Sequence, residues 1–234
     1  MRIKADLHIH TLLSACCSPD NSIQNVVKMA RLLDKKIIAF ADHNSCLNSS
    51  AGAKAAEKEG ILLLPAMEVT TAEEIHVLCL FRDIKDAVVL QNEIDWQLPK
   101  YPLNEKIYCP QRVLDENDGE IERIPYLLNI ACGYDIYSLV ERVKELNGVA
   151  IPAHIDRDSN SVTAVLGEMP PDLDVKTVEL SKSASSQMIE RYAKKYRIIQ
   201  SSDAHCLEDM CLSDFEFELS EVSVSALFDY LEGR

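Results

Sequence analysis

Short apolar runs rich in β-branched residues recur along the chain, and stretches with helical spacing separate most of them. This alternation is typical of a parallel β-sheet wrapped by helices. The predicted strands are residues 3–8, 37–41, 61–66, 75–81, 149–153, 175–180 and 198–201. The predicted helices between them are residues 22–36, 49–60, 135–148 and 186–196. Seven such units on one chain favour a β/α barrel over an open sheet.

One segment, residues 91–133, does not follow this alternation. It contains several prolines, the only tryptophan of the chain and the turn-like sequence ENDG. Because the segment is longer than an ordinary connection, we interpret it as an insertion. It either covers or contributes to a functional site, or it only elaborates the outer rim. The predicted organisation is one domain over residues 1–234 with this insertion.

Composition and charge narrow the classes of partner. With 47% hydrophobic residues, the 234-residue chain can bury a large core. Its net charge of -14 argues against an extended nucleic acid or an anionic membrane, but permits a small phosphorylated substrate held by bound metal. No apolar run approaches the roughly 18 residues of a membrane span, so a cytoplasmic protein is predicted. The eight cysteines are scattered and are expected to be reduced. Oligomeric state is not predicted.

The histidines supply the strongest chemical signal. Strand periodicity places Asp6, His8 and His10 on one face of the first strand. A single His-x-His pair is a weak indication of metal binding. However, all six histidines lie in or near the ends of predicted strands, where Glu68 and Asp203 also lie. Because the carboxyl ends of barrel strands meet at one rim, the sequence predicts a polynuclear metal site there.

The ligand types limit the metal. Mixed nitrogen and oxygen donors suit zinc, manganese or iron better than calcium. Taken singly, His76 has the alternative of a core histidine. Asp6 is expected to orient an imidazole from outside the ligand set, and Asp42 either does the same or caps a helix. Lys35 and Lys36 lie at a predicted helix end and are expected to be solvated.

Six motifs extend from Asp6 to His205: DLHIHT, AFADHN, AMEV, EIHVL, IPAHID and SSDAH. In order and spacing they resemble the motifs of the PHP (polymerase and histidinol phosphatase) family. The resemblance implies a distorted (β/α)7 barrel with a trinuclear metal centre that hydrolyses phosphoesters. Two or three divalent ions, zinc, manganese or iron, are therefore the expected cofactors.

The resemblance also implies a ligand set. The first metal would be held by His8, His10, Glu68 and Asp203. Glu68 would bridge to a second metal held by His76 and His154, and the third would be held by His43 and His205. The chain departs from the family pattern at Cys16, which stands where some members have a histidine. Cys16 is either a thiolate ligand or a small buried residue that leaves the third site weak or empty.

The implied activity is that of a metal-dependent phosphoric ester hydrolase in which a metal-activated hydroxide attacks phosphorus. His205, or His43 if the third metal is absent, is predicted to protonate the leaving group. Arg157, Asn44 and Ser45 are predicted to bind the phosphate, although a surface salt bridge to Asp156 or Asp158 is the alternative for Arg157. Lys182 is a further residue that could face the rim.

A small phosphomonoester is the predicted substrate. The length of the insertion resembles that of nucleotide-directed members, which makes a nucleoside mono- or bisphosphate the first candidate. Histidinol phosphate is the enzymatic alternative, and short oligonucleotides are disfavoured by the charge. An alternative of another class is a non-catalytic, metal-binding regulatory module that senses a phosphorylated ligand. The altered sequence SACC favours this alternative.

Overall fold

The computed structural model describes all residues from Met1 to Arg234. The strands are β1 (Arg2–Ile9), β2 (Ile37–Phe40), β3 (Leu62–Thr70), β4 (His76–Leu80), β5 (Gln111–Leu114), β6 (Glu120–Ile124), β7 (Val149–Pro152), β8 (Thr177–Glu179), β9 (Arg197–Ile199) and β10 (Glu216–Glu218). The helices are α1 (Ile23–Leu32), α2 (Ser49–Lys58), α3 (Ile84–Gln97), α4 (Ile136–Glu145), α5 (Val162–Leu166), α6 (Ser186–Ala193), a 3-10 helix (Leu207–Leu212) and α7 (Val224–Glu232). Each predicted strand and helix is present, with bounds shifted by a few residues.

Six strands form one curled sheet in the order β10-β1-β2-β3-β4-β7. Strands β1, β2 and β3 are parallel, whereas β4 runs antiparallel to both β3 and β7. The prediction of a parallel sheet was therefore wrong for β4. The physical reason is a tight turn, in which the Thr71 N–H donates to the Ile75 carbonyl over 2.8 Å and sends the chain back along β3. The reversal places the first residue of β4 at the carboxyl end of its neighbours.

A complete seven-stranded barrel is not confirmed. Strands β8 and β9 form a separate parallel pair instead of joining the six-stranded sheet. Isolated backbone hydrogen bonds connect this part of the chain to both sides of the half-barrel. Ile155 N–H donates to the Glu179 carbonyl over 2.9 Å, and His10 N–H donates to the Ala204 carbonyl over 3.0 Å. These contacts bring the ends of β8 and β9 to the same rim as the ends of β1 and β7.

The helices form because each has an apolar face and a capped amino end. In α1 the buried residues follow helical spacing, and the Ser22 hydroxyl accepts a hydrogen bond from the Asn25 N–H. Helix α4 repeats this arrangement with Asp135 as its cap. Their buried faces contribute to two different apolar clusters. No helix in the structure combines the length and the apolar character needed to cross a membrane.

The insertion, residues 91–133, contains regular structure and packs against the rim. It begins within α3, continues through the β5–β6 hairpin, and contributes Val113 and Leu128 to the largest apolar core. Its backbone follows the loop after β1, where Cys109 N–H donates to the Ala15 carbonyl over 3.0 Å and Arg112 N–H to the Leu12 carbonyl over 2.7 Å. The insertion therefore lies against the loops in which the candidate ligands are found.

Candidate metal centre

The fold brings all six histidines together at one rim. His8 lies in β1, while the others follow or begin strands: His10 after β1, His43 after β2, His76 at the start of β4, His154 after β7 and His205 after β9. Each ring has another histidine ring within 6.0 Å between centroids. His76 joins the group because β4 is antiparallel, so its first residue lies where its neighbours end.

Glu68, on β3, lies at the centre of this group. Its Oε1 is 2.8 Å from His76 Nδ1 and 3.1 Å from His154 Nε2. On the other side of the carboxylate, Oε2 is 3.1 Å from His43 Nδ1. Burial by itself would raise the pKa of Glu68, but the surrounding imidazoles of His76, His8, His154 and His43 hold that pKa well below its usual value. A buried carboxylate with imidazoles on both oxygens is suited to bridging two cations.

A second group of donors consists of His8, His10 and Asp203. The Nε2 atoms of His8 and His10 are 3.2 Å apart, and they lie 3.4 Å and 3.2 Å from Asp203 Oδ1. Three lone-pair donors in this arrangement would repel one another without a cation between them. The group matches three of the four ligands that the family resemblance implies for the first metal, and Glu68 Oε1 lies 3.3 Å from His8 Nε2.

The Nδ1 atoms of His8 and His10 are held by the protein. His8 Nδ1 lies 2.9 Å from Glu179 Oε2, and a carboxylate can only accept, so the proton is on Nδ1. His10 Nδ1 lies 3.1 Å from the Ser14 hydroxyl oxygen. That hydroxyl donates to Asp42 Oδ1 over 2.6 Å, so it accepts from His10. Both Nε2 atoms are thereby left to bind a cation.

Asp42 positions ligands and does not cap a helix. Its carboxylate also accepts from the Thr11 N–H and the Thr11 hydroxyl, both over 2.7 Å. Burial raises the pKa of Asp42, while the hydrogen bonds from Ser14 and Thr11 lower it, and the net shift is upward. Of the two roles open for Asp42 from the sequence, the geometry supports the one that acts through an imidazole, by way of Ser14.

The expected role of Asp6 was wrong, and so was its predicted place on the same strand face as His8 and His10, because the register of β1 against β2 shifts between Asp6 and Ile9. Asp6 Oδ1 accepts from the Ser202 N–H over 3.0 Å, and Asp6 Oδ2 lies 4.0 Å from Lys35 Nζ, so no imidazole is involved. Lys35 was expected to be solvated, but it is buried and donates to the Ser213 carbonyl. The two residues bury opposite charges together beside the segment that carries Asp203.

Besides the group of His8, His10 and Asp203, two other sets of donors converge, and these two sets have His43 in common. Three donor atoms come together in the set His43, Glu68 and His76, and three more in the set His10, His43 and His205. His43 Nδ1 is buried and lacks a hydrogen bond of good geometry, although Glu68 Oε2 is 3.1 Å away. A buried polar atom without a partner is costly, and a cation between the nitrogen and the carboxylate would satisfy both. The residues present therefore fit divalent metal ions.

Cys16 is exposed and lies beside His43 and His205. Hydrogen bonds with Cys17, His205 and His43 hold the pKa of the Cys16 thiol well below its usual value. The Cys16 thiol and the charge of Glu68 in turn raise the pKa of His43 to about 10, against the lowering effect of burial. Cys16 is not in any of the three donor groups, and its role as a ligand stays a prediction.

The predicted phosphate-binding residues have different surroundings. Arg157 Nη1 lies 2.6 Å from Asp203 Oδ2, whereas Asp156 accepts hydrogen bonds from Ser181. Asn44 and Ser45 are buried. Asn44 Nδ2 donates to the carbonyls of residues 128 and 130, and the Ser45 hydroxyl donates to Gln91. The donors of Asn44 and Ser45 therefore hold the insertion against the rim, and Arg157 alone lies at the metal centre.

Glu179 and Ser14 were not predicted from the sequence as residues of the site. Glu179 is the last residue of β8, so its position as a carboxylate at a strand end was the available signal. Ser14 carried no such signal, because its contact with Asp42 depends on how the loop after β1 folds back.

Three residues of the site have left-handed backbone conformations, Asn44 at φ 51, His154 at φ 31 and Asp203 at φ 49. Such conformations are uncommon outside glycine, although Asn, Asp and His adopt them more readily than other residues, and they occur often at functional sites.

No protein-family model and no curated protein sequence matches the chain. Solved structures do match. A lesion-specific endonuclease from Pyrococcus furiosus is 18% identical with a TM-score of 0.69, and the match covers 100% of this chain and 56% of that one. A protein described as a metal-dependent phosphoesterase, from Bifidobacterium adolescentis, is 16% identical with a TM-score of 0.62, covering 87% and 88%. An amidohydrolase from Chromobacterium violaceum is 16% identical with a TM-score of 0.63, covering 98% and 96%.

These similarities concern the fold. The chain spans little more than half the length of the Pyrococcus furiosus endonuclease. A second structure of this kind, with a TM-score of 0.65, shows Endonuclease Q with a 27-mer duplex that has an abasic lesion at the active site. At the level of the fold, these neighbours confirm the resemblance to the PHP family that the six sequence motifs carry.

Proposed function

We propose that the chain is a metal-dependent phosphoesterase that hydrolyses a small phosphomonoester. One observation carries the proposal. The Nε2 atoms of His8 and His10 and the Oδ1 atom of Asp203 face one another within 3.4 Å, while Glu179 and Ser14 hold the opposite edges of both rings. Imidazole and carboxylate donors of this kind select zinc, manganese or iron.

The surrounding residues assign the metal positions. His8, His10 and Asp203 would hold one divalent ion, and Glu68 would bridge it to a second ion near His76 and His154. A third position, at His43 and His205, depends on whether Cys16 contributes its thiolate. When bound, these ions would supply an activated water and positive charge against the phosphoryl oxygens.

Arg157 would orient the phosphate. Its guanidinium is held against Asp203 Oδ2 by one nitrogen, and its side chain is 41% exposed, so other N–H groups remain free toward the solvent. A guanidinium can donate two parallel hydrogen bonds to a phosphate. The ion pair with Asp203 already fixes the side chain of Arg157 at the site. Less side-chain entropy would therefore be lost when the substrate binds.

His205 is the better candidate for the proton donor to the leaving group. Its side chain is 32% exposed, the highest value among the six histidines, whereas that of His43 is 7% exposed. A general acid must reach the oxygen that leaves with the organic part of the substrate, on the solvent side of the metals. His43 is the alternative donor if the third metal position is not filled.

A nucleoside mono- or bisphosphate is the first candidate substrate, and histidinol phosphate is the alternative. The insertion favours the nucleoside phosphate, which is the larger substrate, because its backbone is hydrogen-bonded to the loop that contains Leu12 and Ala15. It therefore lines the approach to the metals, where the part of the substrate beyond the phosphate must lie. A compact substrate would make fewer contacts with this surface.

A second candidate is incision of DNA at a lesion. The observation that favours it is the match of the whole chain to the Pyrococcus furiosus endonuclease. This counts against the prediction that no nucleic acid is a partner. The net charge of -14 counts against DNA binding, because the duplex backbone is a polyanion.

The test uses metal-free protein loaded separately with zinc, manganese and iron. Phosphate release is measured from a panel of phosphomonoesters that includes nucleoside mono- and bisphosphates and histidinol phosphate, and strand cleavage is measured on a duplex with an abasic site. His10→Ala is the inactive control. Release that requires both metal and His10 supports the phosphoesterase, whereas cleavage of the duplex alone supports the nuclease. If protein shown to hold its metals does neither, the proposal is wrong and the regulatory module is favoured.

A further inference from the structure

Glu179 makes contact with two candidate metal ligands through one oxygen. Its Oε2 lies 2.9 Å from His8 Nδ1 and accepts from the backbone N–H of His154 over 3.2 Å. The side chain is almost completely buried, so solvent does not compete for these hydrogen bonds. Glu179 is also anchored through its main chain, because its carbonyl accepts from the Ile155 N–H over 2.9 Å.

The contact with His8 selects one form of the ring. A neutral imidazole has one proton, and the carboxylate of Glu179 requires it on Nδ1. The Nε2 lone pair then points toward His10 Nε2 and Asp203 Oδ1, 3.2 Å and 3.4 Å away. Without an acceptor at Nδ1, the ring could rotate or carry its proton on Nε2, where it could not bind a cation.

The contact with His154 acts on the backbone. His154 has φ 31, a conformation that is unfavourable for a residue with a side chain. The hydrogen bond from its N–H to Glu179 helps to hold this conformation, in which His154 Nε2 lies 3.1 Å from Glu68 Oε1. His8 and His154 belong to the first and the second metal position, so the same carboxylate oxygen orients ligands of both.

Glu179 is not itself placed as a ligand. It approaches His8 at the Nδ1 edge, across the ring from Nε2, and it is absent from every group of converging donors. Its second oxygen, Oε1, is buried without a hydrogen-bond partner. Glu179 therefore acts on the metals through His8 and His154.

We propose that Glu179 is a positioning residue that sets the affinity of the first two metal positions by fixing the ring of His8 and the backbone of His154. The inference rests on the metal binding in the proposed function, but not on the identity of the substrate. It also explains why the short β8–β9 pair, which is outside the main sheet, ends at the rim.

The test compares Glu179→Leu and Glu179→Gln with the unchanged chain and measures metal affinity directly. Zinc dissociation constants are obtained by competition with a chromophoric chelator, and cobalt-loaded protein gives an absorption spectrum that reports ligand geometry. Removal of a carboxylate that holds a metal-bound histidine costs about 10–100-fold in metal affinity. We expect a loss of this size and an altered cobalt spectrum in Glu179→Leu, and a smaller loss in Glu179→Gln, whose amide oxygen can still accept.

Thr177→Val is the matched control. Thr177 lies two residues earlier on β8 and is equally buried, and its hydroxyl donates to the Leu231 carbonyl over 2.6 Å without contacting a histidine. The control is expected to lower stability and to leave zinc affinity unchanged. If Glu179→Leu does not fold, Glu179→Gln decides. Affinities of the folded Glu179 variants within about twofold of the unchanged chain, below the loss expected for such a residue, would overturn the inference.

The result is separable from the test of the proposed function. Loss of zinc affinity in the Glu179 variants, with no phosphoester hydrolysed by the unchanged chain, would support the positioning role and reject the phosphoesterase. Hydrolysis by the unchanged chain, with unaltered zinc affinity in the Glu179 variants, would reject the positioning role alone.

Discussion

Two buried polar clusters lie along β1, on either side of a register shift between Asp6 and Ile9, and differ in how their charges are compensated. The lower cluster pairs the Asp6 carboxylate with the Lys35 ammonium group, and both residues are almost inaccessible to solvent. Ser202 and Ser213 complete it with a backbone N–H and a carbonyl. The upper cluster, the metal centre around His8 and His10, is equally buried but consists of imidazoles and carboxylates whose lone pairs face one another.

Burial alone does not distinguish a functional cluster from a structural one. Asp6 and Lys35 carry opposite charges within the chain, so the charges of the lower cluster compensate each other, although Asp6 Oδ2 has no hydrogen bond and lies 4.0 Å from Lys35 Nζ. The upper cluster instead gathers three sets of imidazole nitrogens and carboxylate oxygens, and the donor atoms of each set lie within 4.8 Å of one another. A surplus of nitrogen and oxygen lone pairs, and not burial, therefore indicates a site for a cation.

The largest effect is expected from Glu68→Gln. This change removes the charge between the two metal positions, so zinc affinity should fall by more than the roughly 100-fold that loss of an outer residue can cause. Saturating zinc should stabilise the unchanged chain by about 2.7 kcal/mol at 100 times its dissociation constant and raise its melting temperature by roughly 5–10 °C. Thermal denaturation with and without zinc is the measurement. An equal rise in Glu68→Gln would contradict the bridging role.

Lys35→Met should affect stability and leave the metal centre intact. The change leaves the carboxylate of Asp6 buried without its counter-charge, which costs about 3–5 kcal/mol. The double change Lys35→Met with Asp6→Asn removes both charges and should recover most of that loss. Urea denaturation measures the free energy of unfolding. A fall in zinc affinity as large as that expected for Glu179→Leu would show that the two clusters are not independent.

Ser14→Ala should weaken metal binding without abolishing it. The hydroxyl of Ser14 accepts from His10 Nδ1 and donates to Asp42, so its removal frees the ring of His10. Zinc affinity is expected to fall about tenfold, at the lower end for residues that orient a ligand. Thr11→Val is the control, because the Thr11 hydroxyl donates to Asp42 and touches no imidazole. Equal zinc affinities in both variants would contradict the role of Ser14.

The smallest effect is expected at an exposed pair. Glu93 accepts two hydrogen bonds from the Arg142 guanidinium and one from Tyr134, and both partners of the ion pair are about 30% exposed. Exposed pairs contribute about 0.2–1 kcal/mol, so Glu93→Gln should cost no more than that. A loss comparable to that in Lys35→Met would show that burial does not set the difference between the two pairs.

The same pair should respond to pH in a known direction. The hydrogen bonds from Arg142 and then from Tyr134 hold the pKa of Glu93 below its usual value of about 4.3. A carboxylate with a lowered pKa stabilises the folded chain above the unfolded pKa and loses that contribution as pH falls through the folded pKa. The difference in stability between the unchanged chain and Glu93→Gln should therefore be constant near neutral pH and disappear in acid below about pH 4.

The sequence by itself determined most of the strands and helices around the rim, but not β5, β6, β10, α3, α5 or α7. Apolar periodicity is a local property, and it located the seven predicted strands and four predicted helices within a few residues. The histidines could be predicted to converge because strand ends of a β/α fold meet at one rim, and the structure brings all six together. The order of the six motifs supplied the resemblance to a family with the fold that the structural neighbours confirm.

Only the tertiary structure decided which partners these residues have. Asp6 was predicted to share a strand face with His8, but a register shift in β1 between Asp6 and Ile9 separates the two faces. The position of Lys35 beside Asp6 depends on how α1 packs. Glu179 contacts His8 across 171 positions of the chain, and Asn44 contacts the insertion across more than 80. The direction of β4 depends on one turn, and the incomplete barrel depends on long-range pairing. Contacts between segments so far apart leave no local pattern in the sequence, because their geometry arises only when the sheets and helices pack.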